Sequence, residues 1–382
     1  MPDYFKKIAI YLPYLLLNKE HRDPISNNEW EKLVRLMAHH GLTPFFVEFG
    51  GLRFHDPEQP YKDRIIRMAK NITGQNLMKL SVQLEIGDIL DKEQIPFLFI
   101  KGLNLSQIIY KNPTIRPVFD IDMLVSSRFE QDIRKILVAQ GAREKGRLQS
   151  EFVQHLIAHD TPLLFREVVV EIHTHIVPWK YRKAFEDINL WKQISEYDSG
   201  DKKIIAFSPV FYLFYLCYHA HRHLLSGQIK LLWYIDIACF IASNDFSESD
   251  FKKLKYFAQK TDTLEDVEAS LYIIQKHLQL YKDVFVTLNP SGSQIMFETR
   301  CLDLIQNPGQ RGSFRYYMNI WSKLSLKEKV KYGLSIFFPS PAYIRSKFEV
   351  RRWWLVMLIM LLNPLRVIFK GLVFVVKKKR GG

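Results

Sequence analysis

Cysteine is nearly absent from this chain: three residues in 382, at positions 217, 239 and 301. Their number is odd and no CxxC pair occurs. This excludes a disulfide framework and points to a reducing compartment. HExxH is missing too, so the common helical zinc signature is not available. No internal repeat or low-complexity block stands out. Apolar residues at 47% and charged residues at 25% are ordinary globular values. They exclude disorder, collagen and a long coiled coil.

Acidic residues are scarce at one end. From Pro341 onward Glu349 is the single acid against ten Lys and Arg, so nine of the net +14 charges lie there. The remainder carries only +5. A whole-molecule nucleic-acid footprint is therefore not indicated, and no specific nucleic acid is expected as a partner. The apolar run Ile8–Leu17 is followed by Asn18-Lys19-Glu20-His21-Arg22, with no small-residue cleavage site. A packed N-terminal helix is the expectation, not a signal peptide.

What is present falls into blocks. Trp30, Leu33, Leu36 and Met37 recur at helical spacing, stopped by Gly41. A second amphipathic helix is expected over Gln75–Lys92, with Leu77, Leu80, Leu84, Ile86 and Leu90 on its apolar face. Ile95–Ile100 reads as a buried strand, and Lys101-Gly102 as a tight turn into a helix ending near Tyr110. Val118–Val125 reads as a second strand and Phe129–Gln140 as a helix. Leu163–Arg166 and Val168–Ile172 read as two further strands. The order β-α-β-α-β-β predicts an α+β fold: a small mixed sheet with helices against one face. From Tyr181 to about Lys282 helical periodicity dominates, with Ser208-Pro209 as a helix start, and Asn289–Ser293 reads as a loop. The expected organisation is a helical segment over 1–94, an α/β core over 95–178, an α-helical domain over 179–325 and basic apolar helices over 326–382.

Asp120 and Asp122 stand two apart on the second strand, so both point to one face. Chance alone gives about four acidic-x-acidic pairs in such a chain, most of them solvated. These two are flanked by Val118-Phe119 and Met123-Leu124-Val125. Burying carboxylates there is costly unless a cation pairs with them. Hard divalent cations such as Mg²⁺ accept carboxylate oxygens and keep sites open for phosphate. Glu171 is a third acid on an apolar strand. Three acids on adjacent strands can hold two cations for phosphoryl transfer. The plainer alternative for Glu171 is an ion pair with Arg166 or Arg116. Arg116 itself is expected to bind either a phosphate or a carboxylate.

These residues carry a resemblance. Lys101-Gly102 after an apolar strand, Asp120-Ile-Asp122-Met-Leu-Val125 and Val170-Glu171-Ile-His173 resemble the polymerase-beta-like nucleotidyltransferase superfamily. More narrowly the chain resembles the bacterial uncharacterised nucleotidyltransferase family. That likeness extends to Trp30, His40-Gly41, Pro44, Ile95-Pro96-Phe97, Arg116, His219, His223, Leu232 and Asp236-Ile237-Ala238, covering most of residues 1–290. It implies a nucleotidyltransferase core using Mg²⁺ or Mn²⁺ and a nucleoside triphosphate (NTP). Asp120, Asp122 and Glu171 would be metal ligands and catalytic acids, and the Gly102 turn would lie near the triphosphate. The usual turn is Gly-Gly or Gly-Ser. Here Lys101 takes the first place, either as a phosphate contact or as a surface lysine.

Histidines cluster: His155 with His159, His173 with His175, and His219, His221 and His223. No four-ligand zinc set can be read from them. His173 faces the same side as Glu171 and is the candidate site histidine. His219 and His223 share one helical face. In the tail, Trp353–Leu362 is wholly apolar, Asn363-Pro364 interrupts it, and Leu365–Val376 is apolar except for Arg366, Lys370 and Gly371. At 1.5 Å per residue the first piece covers about 15 Å, half of the roughly 30 Å hydrocarbon core. A broken helix lying on an anionic membrane surface is the leading expectation, with a cytoplasmic protein peripheral on the inner face of the membrane; packing on its own domain or a partner, and a true span, are the alternatives. The leading function is transfer of a nucleoside monophosphate from an NTP to an unidentified hydroxyl acceptor, with release of pyrophosphate. The alternatives are a DxD-type glycosyltransferase and a non-catalytic membrane-associated binding protein.

Overall fold

The structure is a computed structural model. It describes residues 2–20, 23–144, 162–177, 188–199, 202–278, 292–308, 325–350 and 352–380, with Arg182 and Phe185. The chain is α+β, mostly helical, with a small mixed sheet. It divides into two compact units, residues 1–122 with 183–317, and residues 123–182 with 318–382.

The first unit opens with α1 (Pro2–Leu17), α2 (Asn27–His40), α3 (Thr43–Glu48), α4 (Gly51–His55) and α5 (Gln59–Lys92). The N-terminal apolar run is a packed helix as expected: Phe5, Ile8, Leu12 and Leu16 are buried. Ser26 and Glu29 form a reciprocal capping box at the start of α2, and Gly41 ends the helix at φ +73°. In α5 the expectation needs correction. The helix is 34 residues long, and Leu77 and Leu84 lie outward, about half exposed. Its inward face carries Asn76, Lys79, Val82, Gln83 and Ile86 instead. Asn76 stands there because the neighbouring loop has backbone groups to satisfy, and Gln83 because it donates to the Asn104 side chain of the next helix.

β1 (Phe97–Phe99), α6 (Gly102–Tyr110) and β2 (Asp120–Val125) follow in the expected order. The unit boundary falls inside β2, after Asp122. Then come α7 (Glu130–Ala139), β3 (Arg143–Glu144), β4 (Leu163–Phe165) and β5 (Val168–His173). The five strands are ordered β1-β2-β5-β4-β3. β4 and β5 form an antiparallel hairpin that pairs Leu163 with Val170 and Phe165 with Val168. Its turn residues, Arg166 and Glu167, both have positive φ, as a two-residue hairpin loop demands. The His155 and His159 pair lies outside the described residues.

The stretch expected to be helical from Tyr181 begins otherwise. β6 (Ile194–Ser199) and β7 (Lys202–Phe207) form an antiparallel two-stranded sheet. Along β6 exposed and half-buried positions alternate, the signature of a half-covered strand. Helices take over as expected at Ser208-Pro209, with α8 (Pro209–Ser226), α9 (Leu231–Ser243), α10 (Glu248–Lys260), α11 (Leu264–His277) and α12 (Gly292–Gln306). α8 packs on α9, α10 and α11. Its Phe211, Tyr212 and Phe214 are fully buried, and large aromatic area of this kind dominates core energetics. The loop expected over Asn289–Ser293 lies outside the described residues through position 291, and Gly292 already opens α12.

The second unit ends with α13 (Leu326–Phe337), α14 (Pro341–Phe348) and α15 (Trp353–Arg380). The tail is a single continuous helix with Pro364 inside it, not the broken one expected. A proline removes one backbone hydrogen bond, and the packing of α15 on α13 and α14 supports the helix across that gap.

Candidate active site

The turn after β1 is shaped for close approach. Gly102 sits at φ +62°, and a Cβ there would lie 3.3 Å from Val118 Cγ1 and 3.8 Å from the Asp120 carbonyl oxygen. An L side chain would strain the backbone and crowd the acidic strand. The Ile100 N–H donates to the Asp122 carbonyl oxygen at 3.2 Å, tying the turn to β2.

On β2, Asp120 is partly open and Asp122 is 8% exposed. Lys101 Nζ lies 3.0 Å from Asp122 Oδ1. Burial alone would lower the Lys101 ammonium, but Asp122, together with Tyr215 and Asp120, outweighs it and holds the amine charged above its ordinary range. Of the two settings expected for Lys101, the surface one is thereby excluded.

α8 supplies the surrounding wall within the same unit. The Tyr215 and His219 rings are 6.2 Å apart, and those of His219 and His223 are 4.5 Å apart. Trp233 lies 5.2 Å from His219 and 4.5 Å from His223. Burial, with the Lys101 cation opposing further charge, holds His219 well below its usual value. Burial and Arg222 do the same to His223. Both imidazoles are therefore neutral near pH 7. Burial likewise pushes the Tyr215 phenol up. The Lys101 ammonium thus lies beside uncharged rings, on which Arg222 acts as a second cation.

Glu171 and His173 are two apart on β5, which places them on one face. His173 Nε2 lies 3.5 Å from Glu171 Oε2. Single ligand atoms of Asp122, Glu171 and His173 all lie within 4.8 Å of one another. Among the described residues this is the one set of three or more such side chains that could hold a metal ion, and Asp120 is not part of it. Two carboxylates and an imidazole suit a divalent cation, with the imidazole favouring Mn²⁺ over the strictly oxygen-seeking Mg²⁺.

Arg116 has the second of its two expected partners. Its Nε donates to Asp236 Oδ2 at 2.8 Å, and the Tyr110 hydroxyl donates to Asp236 Oδ1 at 2.7 Å. All three side chains are buried. Burial raises the Asp236 carboxyl above its ordinary value although Arg116 opposes that shift. This triad fastens α6 and the loop before β2 to α9.

Two residues of α5 that the sequence reading passed over belong to the same neighbourhood. The Asn76 amide donates to the Arg116 and Thr114 carbonyl oxygens at 2.8 and 3.2 Å. Its Oδ1 accepts from the Val118 N–H at 3.2 Å. Asn76 thus holds the loop that aims β2. Lys79 is buried, which lowers its ammonium, and the Asp120 carboxylate opposes that shift. The available signal was three polar side chains at 76, 79 and 83, spaced as one helical face.

A small mixed sheet with acids on adjacent strands, a glycine turn at a helix start and a helical region beyond it define a nucleotidyltransferase-like core. A family model described as "Uncharacterised nucleotidyltransferase" matches residues 26–279, and the chain belongs to that family. No curated protein and no solved structure matches it.

Proposed function

We propose that this protein transfers a nucleoside monophosphate from an NTP to a hydroxyl-bearing acceptor, releasing pyrophosphate. The observation that carries this reading is the convergence of Asp122, Glu171 and His173 beside the Gly102 turn and Lys101. A divalent cation, Mg²⁺ or Mn²⁺, would be held there and would supply charge neutralisation at the phosphates and a more acidic acceptor hydroxyl. Asp120 faces the same side of β2 and would complete the cation-binding acids.

The chain's own residues would do the rest. The N-terminus of α6, reached through Gly102, would present backbone N–H groups to the triphosphate. Lys101 would hold its charge near the leaving phosphates, because Asp122 keeps it protonated. The acceptor oxygen would attack the α-phosphorus in line. The bond from that phosphorus to the bridging oxygen would break, pyrophosphate would leave with its electron pair, and the hydroxyl proton would pass to water or a carboxylate. Asn76 and the Arg116–Asp236–Tyr110 triad would act as positioning residues. The C-terminal segment would meet an anionic membrane surface, as its one-signed charge and Trp353-Trp354 support.

The test is turnover of each of the four NTPs with Mg²⁺ or Mn²⁺ and cell extract as the acceptor source, read as pyrophosphate release and labelled product. Metal-dependent release that disappears in Asp122→Asn, with unchanged circular dichroism, is the expected result. Equal release from Asp122→Asn would refute the reading.

A further inference from the structure

Two helices of the second unit, α13 and α15, each expose apolar residues at a spacing of four. On α13 and its C-terminal cap, Leu326, Val330, Leu334 and Phe338 recur every four residues, and each is more than half exposed. On α15, Trp353, Met357, Leu361, Leu365 and Phe369 recur at the same spacing, from 48% exposed at Met357 to 70% at Trp353. Trp354, Leu358 and Leu362 run beside them. Spacing of four keeps side chains on one helical face. Twelve large apolar side chains in this state present roughly 1,000 Å² of surface, beyond the largest patch of an ordinary monomer.

The opposite faces are tied together. Val356 and Asn363, seven apart on α15, are buried. The Asn363 amide donates to the Ile336 and Phe337 carbonyl oxygens at 2.9 and 3.0 Å. Those carbonyls belong to the last turn of α13, which has no intrahelical partners for them. Asn363 therefore caps α13 from α15. Arg366, the mid-helix cation, lies 5.0 Å over the Phe348 ring of α14, turned toward the protein.

We infer that α13 and α15 form one lipid-docking platform, clasped by Asn363, that lies in the plane of an anionic bilayer. Charge selects this occupant. Residues 325–382 hold thirteen Lys and Arg against Glu328 and Glu349, and no acid follows Val350. A second copy would set this positive charge against its own kind, whereas anionic headgroups complement it. Paired tryptophans beside Arg352 at the start of α15 match the headgroup level. α15, about 42 Å long at 1.5 Å per residue, lies on the surface: no described helix is long and apolar enough to cross a membrane. α13 adds a second apolar edge, so docking uses both helices and not the tail alone. This inference does not depend on the catalytic reading.

The experiment is flotation of the full chain with phosphatidylcholine vesicles and with vesicles that also contain phosphatidylglycerol. Binding is expected to the second kind only, weakening at high salt. Leu326→Gln with Val330→Gln, and separately Leu361→Gln with Leu365→Gln, should each weaken binding at least tenfold. Both pairs are exposed, so far-ultraviolet circular dichroism should not change. Asn363→Ala should weaken it as well, by releasing the clasp. NTP turnover without vesicles should be unaltered in all three variants, which separates this test from that of the catalytic site. Wild-type binding by the Leu326/Val330 variant would overturn the two-helix platform. Absence of flotation together with concentration-dependent self-association would show a subunit interface and overturn the lipid assignment.

Discussion

Lys101 Nζ and Asp122 Oδ1 are 3.0 Å apart, and the two side chains are 15% and 7% exposed. A cation on the chain itself thus already neutralises one of the carboxylates expected to hold a metal. The arrangement lets an apolar sheet carry an acid at little cost. It also makes Lys101 the residue that first senses any added cation.

Removing that ammonium should therefore reveal the metal site. Lys101→Met leaves Asp122 buried without its partner, a loss of about 3 kcal/mol by analogy with other broken buried pairs. Mn²⁺ should then raise the melting temperature of the variant more than that of the parent, since it supplies the missing charge. Differential scanning calorimetry with and without Mn²⁺ measures this. An identical metal response in both proteins would contradict it.

Glu171 and His173 should differ from Asp120 in their effect on metal affinity. Glu171→Gln and His173→Gln each delete a donor of the converging set and should weaken Mn²⁺ binding about tenfold or more, roughly 1.4 kcal/mol. Asp120→Asn should leave more of that affinity and still abolish turnover. Isothermal titration with the metal alone, beside pyrophosphate release, separates the two effects. Unchanged affinity in both β5 variants would remove them from the ligand set.

The Arg116–Asp236 pair should be expensive to break and cheap to replace. Asp236→Asn strands a buried guanidinium and should cost about 3–5 kcal/mol. Replacing both with Met and Leu should recover much of that, because the desolvation cost vanishes with the charges. Urea unfolding of the two single variants and the double variant completes the cycle. Additive losses would mean that the contact is energetically idle.

His40 ties acid stability to a single tautomer. Its Nε2–H donates to the Ile305 carbonyl oxygen at 2.8 Å, and its Nδ1 accepts from the Leu231 N–H at 3.2 Å. Burial lowers this imidazole to about 3. The unfolded value is about 6.5, so the folded state favours the neutral ring. Its contribution is complete above pH 6.5 and declines as pH falls toward 3, by about 1.4 kcal/mol per unit. His219 and His223 shift in the same direction. His40→Asn should be less stable at pH 7.5 yet lose stability more slowly between pH 6.5 and 4.5. Denaturant midpoints at four pH values test this, and parallel profiles would refute it.

Local pattern determined much of this protein. The β-α-β order, the Gly102 turn and the same-face placement of Asp120 with Asp122 follow from strand alternation and glycine's freedom at positive φ, both properties of short segments. So does the alternation that puts Glu171 and His173 side by side. Helical periodicity marks a buried face by apolarity and so misplaces polar α5, where Asn76 is buried to satisfy a loop about forty residues away, Gln83 donates to Asn104 and Lys79 faces the Asp120 charge. The β6–β7 hairpin escaped for a related reason, since half its side chains face water.

Tertiary structure alone decided which charges meet. That Lys101 pairs with Asp122, that Arg116 pairs with Asp236 rather than lying open, and that His173 joins the acids while Asp120 stands apart from that set are distances between segments distant in sequence. Coulomb and desolvation energies depend on separation and burial in space, and no spacing along the chain encodes either.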